Sequence, residues 1–280
     1  MSSTDTTDSL AESDNGPSTA KTVTQPVSLL DVVRHAQSEV AQAGARPFAY
    51  EHKLRTETLA RPPMMYQSAN VTKLDGFEAH GTAVAPAVTA LDAMHAALAS
   101  IIDARGKSER DPTLVHSQAS QVLAVADYAD KQIDAVTRKV DAAHQHIQAQ
   151  ITAAEAELSK SIPASGTPLS GEVRAHAKAQ KNPVQFVSQL IADGDEQSVS
   201  AILGAPAYLS GLTNDMRAAL TRAWHSKRNP ALTAKLTLLQ ATDERLSRAG
   251  SAFVTSAEKA QGVNYKLIKQ LRDAKAAATF

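Results

Sequence analysis

Residues 112–162 read PTLVHSQASQVLAVADYADKQIDAVTRKVDAAHQHIQAQITAAEAELSKSI, about fifty residues without an internal Pro or Gly, stopped by Pro163. Ala129, Ile133, Val136, Val140, Ala143, Ile147, Ile151, Ala154 and Leu158 recur at steps of three and four, which puts them on one helical face close to a heptad seam. Pro112 fits the first turn, with Asp111 as its cap. At 1.5 Å per residue the helix would run roughly 70 Å. A compact domain of this chain length is only about 40 Å across. The stripe is therefore expected to protrude or to be covered by partners.

A second long period lies at the other end. After Asn229-Pro230, the positions Leu232, Leu236, Leu239, Asp243, Leu246, Gly250, Phe253, Ala257, Ala260, Asn264, Leu267 and Leu271 alternate four- and three-residue steps without a fault. This predicts one continuous heptad-bearing helix over 230–277. Asp243, Gly250 and Asn264 interrupt its apolar face, and an isolated polar residue in a seam fixes register or oligomer state at some cost in stability. Together the two stripes nominate Ile133, Val136, Val140, Ile147, Ile151, Leu158, Leu232, Leu236, Leu239, Leu246, Phe253, Leu267 and Leu271 as an oligomer or partner seam.

Composition agrees with long helices. The 280 residues are 43% hydrophobic, but alanine makes up more than two-fifths of that share and aromatics reach only 4%. Alanine is the best helix former because it loses no side-chain entropy, and it lets helices approach closely. The formal charge is zero, from 29 basic and 29 acidic residues, so no general pull toward nucleic acid or anionic membrane follows. There is no cysteine, which excludes disulfides, thiol catalysis and Cys-based metal sites.

Residues 1–27, rich in Ser, Thr and Asp, read as a disordered acidic tail; they lack the charge and apolar pattern of a signal peptide, so a cytoplasmic location is expected. Residues 28–81 read as a short helix, capped by Ser28 and stopped by Gly44, followed by an extended arm broken by Pro47, Pro62, Pro63, Gly76 and Gly81. Its aromatics Phe48, Tyr50, Tyr66 and Phe77 either wrap this chain's own helices or anchor on a neighbouring subunit or partner. Val84, Val88, Leu91, His95, Leu98 and Ile102 predict a helix over 82–105, with Pro86 in its first turn and Gly106 ending it. Folded back on the long helix, it would make a hairpin over 82–162 with one arm less than half the other. Asp92, His95 and Pro86 interrupt this stretch, and no membrane span is expected.

SIPASGTPLSG at 161–171 reads as a linker. Beyond it, 172–228 has the punctuation of a compact helical module and the best claim to a core. Asn182-Pro183, Asp195 and Thr213 open helices, Gly194 and Gly204 close them, and Phe186, Val187, Leu190, Ile191, Val199, Ile202, Leu203, Leu220 and Trp224 supply apolar faces. Tyr208, Leu209 and Leu212 are expected as a buried turn.

Motifs for chemistry are wanting. Nine histidines include no HExxH, and His116, His144, His146 and His176 read as single polar residues rather than metal ligands. Gly106-Lys107-Ser108 lacks the first glycine of a P-loop, since Ile101 stands there. Ser165-Gly166 and Ser210-Gly211 lack the frame of a nucleophile elbow. No cofactor or metal is expected. Arg217, Arg222, Lys227 and Arg228, beside Trp224 and His225, together with the basic C-terminal turns (Lys266, Lys269, Arg272, Lys275), form the one candidate nucleic-acid surface.

Asn182-Pro183, Phe186, Ile191, Gly194-Asp195 and AILGAPAYLSGLT at 201–213 resemble a segment of uncharacterised tailed-bacteriophage proteins encoded near head genes. The resemblance implies a virion or virion-assembly component. The expectation is an elongated all-α protein without catalysis: a homo-oligomer or a companion of other structural proteins, with no membrane contact. The alternatives are a nucleic-acid-binding protein and an enzyme without a recognisable motif.

Overall fold

A computed structural model describes residues 57–110, 118–160, 162 and 169–278. Among them the chain is all α, with nine α-helices and no strand. The tail, the helix expected after Ser28, the anchors Phe48 and Tyr50, and the proposed Asp111 cap lie outside the described residues.

A one-turn 3-10 helix, Met64–Tyr66, and the short α1, Ala69–Thr72, lead into α2, Phe77–Arg110. Then come α3, Gln118–Lys160, and a group of short helices: α4, Ser170–Ala179; α5, Pro183–Asp193; α6, Glu196–Leu203; and α7, Asn214–Arg228. A 3-10 turn, Ala207–Ser210, joins α6 to α7. The chain closes with α8, Pro230–Gln261, and α9, Tyr265–Ala277.

Helices α2, α3 and α8 form a three-helix bundle. Gly76 lies beside Ala234 at one end and Arg105 bonds Ala260 at the other, so α2 and α8 run parallel. Lys235 reaches Gln150 while Gln148 reaches Asp243, and Val122 meets Val263, so α3 runs against both. The helical hairpin is thus present, but its arms are nearer in length than expected, at 34 and 43 residues. Helix α2 starts five residues before Thr82 and runs through Gly106, which places Pro86 inside the helix rather than in its first turn. One helical glycine costs about 1 kcal/mol, less than the packing of the surrounding turns supplies. By length and composition α2 would cross a bilayer; here Val84, Leu91, Met94, Leu98 and Ile101 are buried in the bundle instead.

The second correction concerns the C-terminal period. The heptads continue to Leu271, but the helix does not. Helix α8 stops at Gly262, whose φ of +77° is left-handed, and Asn264 starts α9 by accepting a hydrogen bond from Leu267 N at 2.9 Å. Asn264 is a cap rather than a polar seam position. Helix α9 then returns onto α3, where Arg272 bonds both Asp127 (2.6 Å) and Asp130 (2.7 Å).

Two apolar cores result. The larger fills the bundle and holds Tyr66, Leu91, Leu98, Ile133, Ile147, Leu239, Leu246, Phe253 and Ile268. The smaller lies within α4–α7, around Val187, Val199, Ile202, Leu220 and Trp224. The main core is therefore in the bundle, not in the 172–228 module. The module's punctuation is as read: Asn182, Asp195 and Thr213 each accept a backbone N–H three residues on, and Gly194 closes α5 at φ +79°.

Candidate functional site

The seam residues come together inside one chain. Ile133, Val136, Val140, Ile147, Leu239, Leu246, Phe253, Leu267 and Leu271 are all buried in the bundle core, and Ile151 packs half-buried against it. Leu158 is buried, while Leu232 and Leu236 are half-buried. The stripes that seemed too long to be hidden alone cover one another, because the chain folds back twice. Their length no longer calls for a partner.

Asp243, one of the polar breaks in the stripe, meets its partners within the chain. It sits on α8 and accepts a hydrogen bond from Gln148 Nε2 at 2.7 Å, while His144 Nδ1 approaches its other oxygen at 2.9 Å. That second approach is oblique and forms no proper hydrogen bond. A slip of one turn between α3 and α8 would leave this carboxylate, only 19% exposed, without partners.

The two described arm anchors, Tyr66 and Phe77, likewise turn inward. Tyr66 is fully buried; its hydroxyl lies 2.8 Å from Ser256 Oγ and its ring meets Phe253 edge-on at 6.1 Å. Burial raises the Tyr66 pKa above 10.0, opposed in part by the Ser256 hydrogen bond. Phe77 opens α2 and packs against the same core. Around them, Leu59 N donates to Lys259 O, Arg105 Nη2 donates to Leu59 O, and Lys259 pairs with Glu57. These contacts strap the described part of the arm, residues 57–81, over this chain's own bundle.

Of the four basic candidates in the module, Arg217 and Lys227 serve helix ends, Arg228 an ion pair, and Arg222 is exposed. Arg217 Nη1 donates to Ala205 O just past α6 (3.2 Å), and Lys227 Nζ donates to Ile191 O (2.8 Å) and Ala192 O at the end of α5. Arg228 pairs with Glu196 at 3.0 Å. Cations at helix C-termini meet unpaired carbonyls and the negative end of the dipole. Burial lowers the pKa of His225, half-buried in the last turn of α7. His176 stacks edge-on against Phe186 and bonds Gln180. At the C-terminus, Arg272 is drawn into its two aspartates.

The expected buried turn is only partly buried. Leu212 is inside, but Tyr208 is 69% exposed and Leu209 38%. Met216, in the first turn of α7, is 43% exposed. The three lie within nine residues of sequence, two on the turn and one in the first turn of α7, and the turn packs near that helix. Sequence reasoning placed them inside because they are apolar; only the orientation of the turn shows otherwise.

No family model, curated protein or solved structure matches this chain.

Proposed function

We propose that this protein works by contact rather than by catalysis, as a structural or assembly protein that docks through the module of α4–α7. The bundle, whose longest helix spans about 65 Å at 1.5 Å per residue, serves as the rigid spacer. The observation that carries this reading is the exposed set Tyr208, Leu209 and Met216 on a module whose other large apolar side chains are mostly buried. Exposed aromatic and Met side chains on a rigid support suit a docking surface, since little freedom is lost when they are covered. The resemblance to uncharacterised tailed-bacteriophage proteins encoded near head genes falls on this same module and takes in Tyr208 and Leu209. It supports a particle component or a scaffold-like factor as the setting, with further copies or other structural proteins as partners.

This differs from the seam-based expectation in its surface. Self-association through the long helices would require opening the bundle core, whereas docking through the module leaves it intact. The nucleic-acid reading is disfavoured because Arg217, Lys227, Arg228 and Arg272 already serve carbonyls and carboxylates of this chain.

Sedimentation equilibrium on the full chain is the test. Self-association at micromolar concentration is expected, together with its loss in Tyr208→Glu, with helix content unchanged. A wild-type chain that stays monomeric at the highest soluble concentration, or a Tyr208→Glu variant that associates equally well, overturns docking between copies through this surface.

A further inference from the structure

Where α3 ends beside the module, a groove of about 440 Å³ runs between Ser159 and Ile162, the end of α6 at Leu203, and α7. At about 3.6 residues per turn, Ala218, Thr221 and His225 form one strip along α7, with Arg217 on one flank and Arg222 on the other. All five line the groove. Ile162, Leu203 and Ala218 give it an apolar wall, and among the described residues no Asp or Glu lines it. Clefts elsewhere on the chain do carry carboxylates: Asp243 and Glu244 along α8, and Glu109 at the far end of the bundle.

The charge of the groove comes from its guanidiniums. Arg222 is exposed, and its long side chain can bend over the strip. Arg217 is half-buried and gives one of its several N–H donors, through Nη1, to Ala205 O. Burial lowers the His225 pKa below 6.5, so the imidazole is neutral at pH 7 and adds no charge. The C-termini of α3 and α6 meet here and bring about half a negative charge each. Set against two guanidiniums, they leave about one net positive charge. That matches a monoanion. A carboxylate also fits a guanidinium fork through two parallel hydrogen bonds, whereas a phosphate monoester carries about −1.5 to −2 and would keep charge uncompensated. The volume falls within the range of about 300–1,000 Å³ usual for small-molecule sites, which leaves room for an aliphatic body beside the head.

We infer that this groove binds a monocarboxylate with an aliphatic body: Arg222 and Arg217 hold the head, and Ile162, Leu203 and Ala218 cover the body. Two sources present that chemistry: a free alkanoate and the C-terminal carboxylate of a polypeptide that ends in apolar side chains. The inference is independent of docking through Tyr208.

The test follows the methyl signals of Ile162, Leu203 and Ala218 in the full chain during titration with octanoate, octanol, octylammonium and octyl phosphate. Octanoate is expected to shift them saturably, with a dissociation constant on the order of 1 mM. Octanol and octylammonium should bind at least about tenfold more weakly, for want of the charge-assisted fork, and octyl phosphate at least about threefold more weakly. Arg222→Gln, at an exposed helical position, should weaken octanoate about tenfold and leave octanol unchanged, with helix content native. Ala218→Glu, also exposed, places a like charge in the groove and should abolish octanoate binding. N-acetyl-leucyl-leucine, with its free carboxylate, separates the sources: tighter binding than octanoate points to a polypeptide end, and weaker binding to a free alkanoate. No saturable shift with octanoate, equal binding of octanol or octyl phosphate, or an Arg222→Gln variant that binds octanoate as well as the wild type overturns the inference.

Discussion

Replacing Tyr66 by Phe removes one oxygen from the place where the 57–66 segment is fastened to the bundle. The hydroxyl is buried and 2.8 Å from Ser256 Oγ. Its loss leaves the Ser256 hydroxyl, 9% exposed, without that partner, and the expected cost is about 1–2 kcal/mol. Ser256→Ala leaves the phenol orphaned and should cost a similar amount. The double variant strands neither group, so its cost should fall short of the sum by about 1 kcal/mol, the coupling of the pair. Tyr66→Ala also removes a fully buried ring and its edge-on contact with Phe253, for about 4–5 kcal/mol in all. Urea unfolding followed by far-UV circular dichroism measures each value, in a Tyr208→Glu background so that association between copies does not contribute. Because the phenol's pKa is raised above 10.0, the neutral form is favoured in the fold; its contribution is complete below pH 10 and lost as pH rises through the folded-state value. Tyr66→Phe should lack that alkaline loss. Strictly additive single variants would refute the reasoning.

Three further outcomes follow from the geometry. Asp195→Ala should cost about 1 kcal/mol near pH 7 through loss of the α6 cap; since the bond to Ser198 lowers the Asp195 pKa below 3.8, the wild-type advantage should be full above pH 4 and vanish as acid titration passes the folded-state value. Gly262→Ala forces an L side chain to φ +77°, with its Cβ 3.1 Å from Thr58 Cγ2, and should destabilise by about 1–3 kcal/mol in thermal unfolding, whereas Gly171→Ala, helical and with nothing within 4 Å, should stabilise by about 0.5–1 kcal/mol. Trp224→Ala empties the centre of the smaller core at a cost of about 3–5 kcal/mol. Hydrogen exchange should then show α5–α7 losing protection while Leu91, Leu98 and Ile133 keep theirs; simultaneous loss in both would contradict two separate cores.

The sequence by itself determined the helical class, the seam positions and the caps of the module. Those signals are local: a 3.6-residue period places Ile133, Val140 and Ile147 on one face, and Asn182, Asp195 and Thr213 need only a backbone N–H three residues away. It also marked Asp243 as a polar break in the apolar stripe. The break at Gly262–Asn264 was hidden because the apolar spacing carries on across it, as both α8 and α9 pack on the same bundle. The partner of each seam was hidden for a related reason. An apolar stripe records that something covers it, and the same burial free energy is available from another chain or from this one. Only tertiary structure decided that α2, α3 and α8 cover one another, that Tyr66 lies inside and Tyr208 outside, and that Gln261 is buried. Each depends on which distant residues the folded chain brings within a few ångströms, and no local period encodes that.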